Sequence, residues 1–361
     1  MVLCNVYAVY IKIMNNENQT IHKFDFNLNW YGWNDKLSQL KQESLYSTLP
    51  HGRVSIVHRT CYEVVSENGL FQCELTGNMM YGKSDAELPC TGDWVLFQPF
   101  DENKGIIVYM LPRERTLYRK KSGTVADKQA IASYVDKAFI VQSLDDNFNV
   151  RRVERFMVQV LEENIKPVLV LNKSDLDFDR QSVEEQINHI SNQIPVFFTS
   201  IHQPQTILRL RESISEGETV VFVGSSGVGK SSLVNALCEK SALLTSDISL
   251  STGKGRHTST RREMVLMDGS GVLIDTPGVR EFGLAIDDPD SLAEVLEISD
   301  YAASCHFKDC KHINEPGCAV LEAVSSGVLD RKVYESYLKL RREAWHFSTS
   351  EYEKRKRDKS F

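Results

Sequence analysis

Thr219-Val220-Val221-Phe222-Val223-Gly224-Ser225-Ser226-Gly227-Val228-Gly229-Lys230-Ser231-Ser232 is an apolar run that breaks into a glycine-rich turn and then enters a helical pattern through Leu233, Val234 and Leu237. Gly224 to Ser231 fits G-x-x-x-x-G-K-[ST], and a strand before it and a helix after it are the context that motif needs. Glycines let backbone N–H groups curl around phosphate oxygens with no Cβ in the way, and the helix N-terminus adds positive potential. In this pattern Gly224 to Ser232 form the cradle, Lys230 reaches the β and γ phosphates and the Ser231 hydroxyl meets Mg²⁺. A chance match arises on the order of once per hundred chains of average composition, and more rarely still with the correct flanks. The stretch therefore predicts a nucleoside triphosphate at the end of a parallel strand.

Outward from it, apolar runs at 138–142 and 168–171 alternate with helical spacing at 150–163, 182–193 and 207–214, and 196–199 reads as extended. Such alternation means a parallel sheet covered by helices. Asn172-Lys173-Ser174-Asp175 follows the 168–171 run directly, at a strand end where open α/β sheets bind ligands. There Asp175 can accept from the two adjacent N–H donors of guanine, a pattern adenine lacks. Asn172 is expected to brace the loop and Lys173 to lay its stem over the base, with Thr199 and Ser200 in the loop behind it. N-K-x-D alone is weak; beside a phosphate loop it favours GTP over ATP, and so argues against a P-loop ATPase acting on tRNA.

Asp275-Thr276-Pro277-Gly278 ends a further strand. Asp275 is expected to hold Mg²⁺ through water and the Gly278 N–H to sense the γ-phosphate. Between the two motifs, 251–260 is basic and rich in hydroxyls, as a Mg²⁺-contacting switch should be. The order is unusual, since ordinary GTPases place N-K-x-D last and here it comes first. The chain reads as a circular permutation, tolerable because domain termini are commonly close and exposed. Further on, Cys305, Cys310, His312 and Cys318 supply three thiolates and one imidazole in a short span, a set suited to one closed, structural zinc site; His306 is the competing imidazole.

The rest of the chain has a different texture. Five short β-rich runs, 54–57, 62–65, 70–75, 94–98 and 106–110, read as a small barrel of OB type, with an SH3-like barrel as the alternative. A helix is expected over 35–42, no role is assigned to 1–50, and 113–128 reads as an exposed basic linker. The expected division is 1–50 extension, 51–112 barrel, 113–128 linker, 129–285 permuted GTPase domain, 286–346 zinc-binding helical domain and 347–361 basic tail. No apolar run approaches the roughly 18 residues a membrane span needs, and 1–14 lacks the features of a signal peptide. Eight cysteines in 361 residues without a secretory signal suggest reduced thiols in the cytosol. The net charge of −7 excludes a uniformly basic binder. It conceals net +4 in each of 113–128, 252–262 and 339–361, segments suited to phosphate backbones or simply solvated.

Barrel, permuted motif order and C-x₄-C-x-H-x₅-C segment together resemble the RsgA/YjeQ family of ribosome small-subunit-dependent GTPases, over about residues 50–345. The resemblance implies an OB-fold, a permuted GTPase domain and a zinc domain, with Mg²⁺ accompanying GTP. It implies slow hydrolysis stimulated by the small (30S) subunit and a role in its late maturation, with 16S rRNA and other assembly factors as partners, in a cytoplasmic monomer without membrane contact. Val279 stands where Ras-like enzymes carry the water-orienting glutamine, and in similar proteins a switch histidine, here His257, takes that role; an RNA or solvent contact is the other reading. The family usually runs threonines where this chain has Thr258-Ser259-Thr260, so the resemblance implies a switch hydroxyl for Mg²⁺ from Thr258 or Thr260. Gly227 stands where several potassium-activated GTPases have asparagine. An RNA-binding assembly scaffold with negligible hydrolysis is the alternative function.

Overall fold

The computed structural model describes residues 27–120, 128–244, 263–267, 269, 271–275, 292–293, 296 and 298–348. A 3₁₀ turn at Leu28–Tyr31 and helix α1 (Asp35–Glu43) come first. Asn34 caps α1 by accepting the Leu37 N–H, and only Leu37 of the helix is fully buried. This segment is a strap: Trp33 packs its ring against His51 at 3.9 Å and Trp94 at 4.9 Å.

Strands β1 (His51–Val57), β2 (Tyr62–Ser66), β3 (Gly69–Leu75), β4 (Trp94–Phe100) and β5 (Lys104–Met110) follow, with the single turn α2 (Gly77–Met80) between β3 and β4. Their pairing runs β1-β2-β3-β5-β4 and closes from β4 onto β1; the β3–β5 pair is parallel and the others antiparallel. This strand order, with its parallel β3–β5 pair, is that of an OB barrel, so the SH3-like alternative falls. Alternate side chains from these strands, among them Val54, Val64, Phe71, Val95, Phe97 and Ile107, fill its interior.

The segment expected as an exposed linker differs from that expectation. Leu117–Lys120 (β6) and Lys128–Ala132 (β7) form an antiparallel ribbon, with Thr116 and Leu117 buried. Arg113 grips buried Asp93 with two nitrogens, Nε to Oδ1 at 2.9 Å and Nη2 to Oδ2 at 2.6 Å, and also donates to the Ala86 and Leu88 carbonyls. Burial works against its charge, but Asp93 outweighs it and raises the Arg113 pKa. A run expected as an exposed basic linker thus contains an internal ion pair whose partner lies 20 positions upstream.

From β8 (Lys137–Ser143) the chain alternates through α3 (Val150–Glu162), β9 (Lys166–Asn172), α4 (Arg180–Ser191), β10 (Val196–Thr199), α5 (Pro204–Glu212), β11 (Thr219–Gly224) and α6 (Lys230–Leu244) to β12 (Glu263–Leu266) and β13 (Val272–Asp275). The strand order is β10-β9-β8-β11-β13-β12, parallel except for β12 against β13. One face packs Phe139, Val141, Val168 and Phe222 against Ile207, Leu210, Leu233 and Leu237 of α5 and α6. The other packs Ile140, Leu169, Leu171 and Val223 with Val153, Phe156, Val183 and Ile187 of α3 and α4. Barrel and sheet meet edge to edge where Ile56 of β1 pairs with Glu263 of β12. Helices α7 (Ser299–Ala302), α8 (Ala319–Ser325) and α9 (Arg331–Ser348) complete the described chain. Helix α9 docks on α3, its Ser336 hydroxyl donating to the buried Glu154 carboxylate at 2.5 Å.

The joint between strap, barrel and sheet is organised by Arg53, only 1% exposed. Its guanidinium donates to the carbonyls of Tyr31, Gly92, Ser133 and Tyr134 and to the Thr219 hydroxyl.

Candidate nucleotide site and metal centre

The motifs separated in sequence converge at the carboxyl ends of β8, β9, β10 and β11. Gly224 leaves β11 with φ +146°, and a Cβ there would lie 2.4 Å from the Val141 carbonyl oxygen, so only glycine lets the loop start so close to β8. Val228 anchors the loop by burying its side chain in the core beneath. The Lys230 ammonium reaches back across the loop, donating to the carbonyls of Gly224 at 2.6 Å and Ser225 at 2.7 Å. Ser231 and Ser232 are exposed on the first turn of α6.

Asn172 ends β9 and is 3% exposed. Its Nδ2 donates to the Val228 carbonyl at 2.8 Å, and its Oδ1 accepts from the Thr199 hydroxyl at 3.3 Å. A Cβ on Gly229 would sit 2.3 Å from that same Nδ2, so glycine at this phosphate-loop position is what admits the Asn172 amide. One side chain therefore joins the N-K-S-D loop, the 199–200 loop and the phosphate loop. The Ser174 N–H donates to the Thr199 carbonyl at 3.0 Å, tying the first two again through backbone.

These loops enclose a cavity of about 210 Å³ lined by Asn172, Lys173, Asp175, Leu176, Ser200, Ile201, His202, Gly229 and Ser232. A hydrogen bond from Ser200 holds the Asp175 carboxyl below the ordinary range, so the group is an ionised acceptor at neutral pH. Leu176, Ile201 and His202 were not singled out from sequence, although the last two directly follow Thr199-Ser200. Asp275 ends β13, whose Ile274 pairs with Val221 of β11, so it lies at the same edge of the sheet as the phosphate loop. His257, Thr258, Thr260 and Gly278 lie outside the described residues.

The second cluster is compact. Ligand atoms of Cys305, Cys310, His312 and Cys318 all lie within 4.8 Å of one another. Cys305 Sγ is 3.9 Å from Cys318 Sγ, and His312 Nδ1 is 3.5 Å and 3.4 Å from those two sulfurs. A tetrahedral Zn²⁺ with Zn–S near 2.3 Å and Zn–N near 2.0–2.1 Å has edges of roughly 3.8 Å (S–S) and 3.5 Å (S–N), so the donor set fits such an ion. His306 stays outside: its N–H donates to Gly317 and its ring stands edge-on to Phe307. Glu315 accepts the N–H groups of Lys311, Ile313 and Asn314, fixing the loop, and Tyr334 of α9 donates to the His312 carbonyl at 2.6 Å.

Comparison with known proteins agrees with this geometry. The model of the RsgA GTPase family matches residues 110–285. A curated relative from Bacteroides thetaiotaomicron, named small ribosomal subunit biogenesis GTPase RsgA 1, is 76% identical over 348 residues, 96% of each chain. The chain belongs to the RsgA GTPase family. Among solved structures, YjeQ from Thermotoga maritima is 27% identical with a TM-score of 0.62, covering 82% of this chain and 98% of that one. YloQ, titled a circularly permuted GTPase, gives 23% and 0.62 over 85% and 99%, which supports the fold. The RsgA match spans the ribbon and permuted sheet, while the relative's coverage takes in barrel and Cys₃His cluster as well.

Proposed function

We propose that this chain is a GTP hydrolase of small ribosomal subunit biogenesis, binding the subunit through 16S rRNA and hydrolysing GTP faster there than alone. The observation that carries the nucleotide reading is the Asn172–Val228 bond, which fixes an ionised Asp175 and the phosphate loop around one cavity. A guanine presents two adjacent donors to Asp175, while Lys230 and the loop N–H groups receive the phosphates. Ser231 and Asp275, with Thr258 and Thr260, are the proposed Mg²⁺ contacts, Gly278 the γ-phosphate contact and His257 the group that orients the attacking water. The ribosomal part is supported by the printed name of the 76% identical relative and by the net +4 of 252–262 and of 339–361, which suit an RNA backbone.

Zinc is the proposed ion for Cys305, Cys310, His312 and Cys318; four protein ligands leave no open position, so its contribution is to hold the loop rather than to catalyse. Among the described residues no helix is long and apolar enough to cross a membrane. A cytoplasmic monomer that meets other assembly factors on the subunit completes the reading.

Phosphate release titrated with purified small subunits tests it. Turnover of GTP should rise with subunit concentration, ATP should neither react nor compete, and a GTP analogue should favour subunit binding over GDP. Nucleotide binding with no stimulated release would replace the enzyme by an RNA-binding scaffold.

A further inference from the structure

The loop after β8 contains a carboxylate that none of the motifs accounts for. Asp145 lies two residues beyond the end of β8, beside the N-K-S-D loop at the end of β9, and the Leu144 N–H donates to the Asn172 carbonyl at 2.9 Å, locking the two loops together. Its Oδ1 accepts from the Ser143 hydroxyl at 2.7 Å and the Asn147 N–H at 3.0 Å. Its Oδ2 accepts from the Lys173 ammonium at 2.7 Å. Burial pulls the Asp145 carboxyl upward, but Lys173, Ser143 and the Asn147 N–H outweigh it and hold its pKa at about 2. The pair is only partly exposed, 34% for the lysine side chain and 24% for the aspartate.

Lys173 lines the base cavity and leaves β9 with φ +62°, a conformation rare outside glycine and asparagine. A lysine stem has four rotatable carbons, so an unanchored one keeps many conformers that ligand binding must then remove. We propose that Asp145 is a positioning residue for nucleotide binding, holding the Lys173 ammonium at the cavity rim so that the stem is set across the base before the nucleotide arrives. It acts through Lys173 and does not touch the nucleotide; the inference rests on the guanine-nucleotide reading above.

The test is a double-mutant cycle with a fluorescent GDP analogue on the full chain. Asp145→Asn keeps an oxygen for Ser143 and Asn147 while removing the charge that anchors Lys173, and because the pair is partly exposed its thermal midpoint should fall by no more than a few degrees. Its Kd should rise about 5- to 10-fold, the KM for GTP should rise by the same factor, and turnover at saturating GTP should stay within twofold. In a Lys173→Met background, which keeps a stem and removes the ammonium, Asp145→Asn should change Kd less than twofold. Wild-type affinity in Asp145→Asn, or an equal effect in both backgrounds, overturns the positioning role and leaves the nucleotide reading intact. A wild-type chain that binds no GDP analogue overturns both.

Discussion

The base corner and the joint around Arg53 are both polar clusters where separate elements meet, and each borders a cavity, of about 210 Å³ and 300 Å³, but they differ in how many of their polar atoms are already bonded within the protein. In the joint, four carbonyls and a hydroxyl take the Arg53 donors inside the protein. Burial lowers the Arg53 pKa to about 10, so the guanidinium is still charged at neutral pH. In the base corner, Asn172 is consumed internally while Asp175, Lys173 and Ser200 face a cavity. A cluster that satisfies its atoms internally fixes geometry; one that presents them to a cavity can recognise a ligand. The Cys₃His cluster belongs to the first kind once an ion is added.

That comparison can be broken most forcefully at the cluster. Cys318→Ser removes one of the four proposed zinc ligands, and in small zinc modules metal binding is also local folding, worth about 10–16 kcal/mol. The expected outcome is loss of one zinc per chain in a dye-release assay and rapid proteolysis within 305–348, with barrel and sheet intact. Retention of stoichiometric zinc would remove Cys318 from the ligand set.

Next in size, Arg53→Met should destabilise the fold by about 3–5 kcal/mol, because buried carbonyls lose their donor. Its thermal midpoint should fall while the affinity of the remaining folded protein for GDP stays within threefold. A large loss of affinity in the folded fraction would show that the joint also shapes the site. Asp175→Asn should do the reverse. The amide presents a donor where guanine also has one, so GTP affinity should fall roughly 10²-fold, about 3 kcal/mol. Affinity for xanthosine triphosphate, with an acceptor at that position, should rise, and the thermal midpoint should be unchanged.

The difference between these regions also explains what the sequence could convey. Gly224 to Ser231, Asn172 to Asp175 and Cys305 to Cys318 are contiguous strings whose chemistry needs fixed spacing, so they are legible one by one, and the strand order follows from the alternation around them. Arg53 is not legible, because its partners lie 22 to 166 positions away and are mostly carbonyls, which every residue has. Arg113, expected in an exposed basic linker, is illegible for the same reason, its Asp93 partner being identifiable only once the barrel closes. Asp145 carries a weaker signal, a carboxylate just past a strand that neighbours the N-K-S-D strand, and strand adjacency had to be known before it meant anything. The strap hid because α1 buries only Leu37 fully and its contact with the barrel runs through Trp33 and His51.

The smallest expected effect probes that strap. His51 starts β1, stacks on Trp33 and accepts from the Lys41 ammonium, 3.2 Å from its Nδ1, while its buried Nε2 has no protein partner. Burial, then Lys41, lowers its pKa to about 4 from the ordinary 6.5. The unfolded chain therefore takes up a proton near pH 6.5 while the docked strap refuses it until about pH 4. Stability from this contact is complete above 6.5 and is lost progressively as pH falls through that window. Because the ring is partly solvent-facing, the loss amounts to about 1 kcal/mol by pH 5. Protection factors over 28–43, which divide out the intrinsic slowing of exchange in acid, should fall from pH 7.5 to 5, and His51→Phe, which keeps the ring packing and cannot titrate, should remove that excess loss of protection. GDP affinity should hold across the same range if joint and base corner are as separate as their hydrogen bonds indicate; a parallel loss would tie the strap to the site, and an excess that persists in His51→Phe would assign the titration to another group.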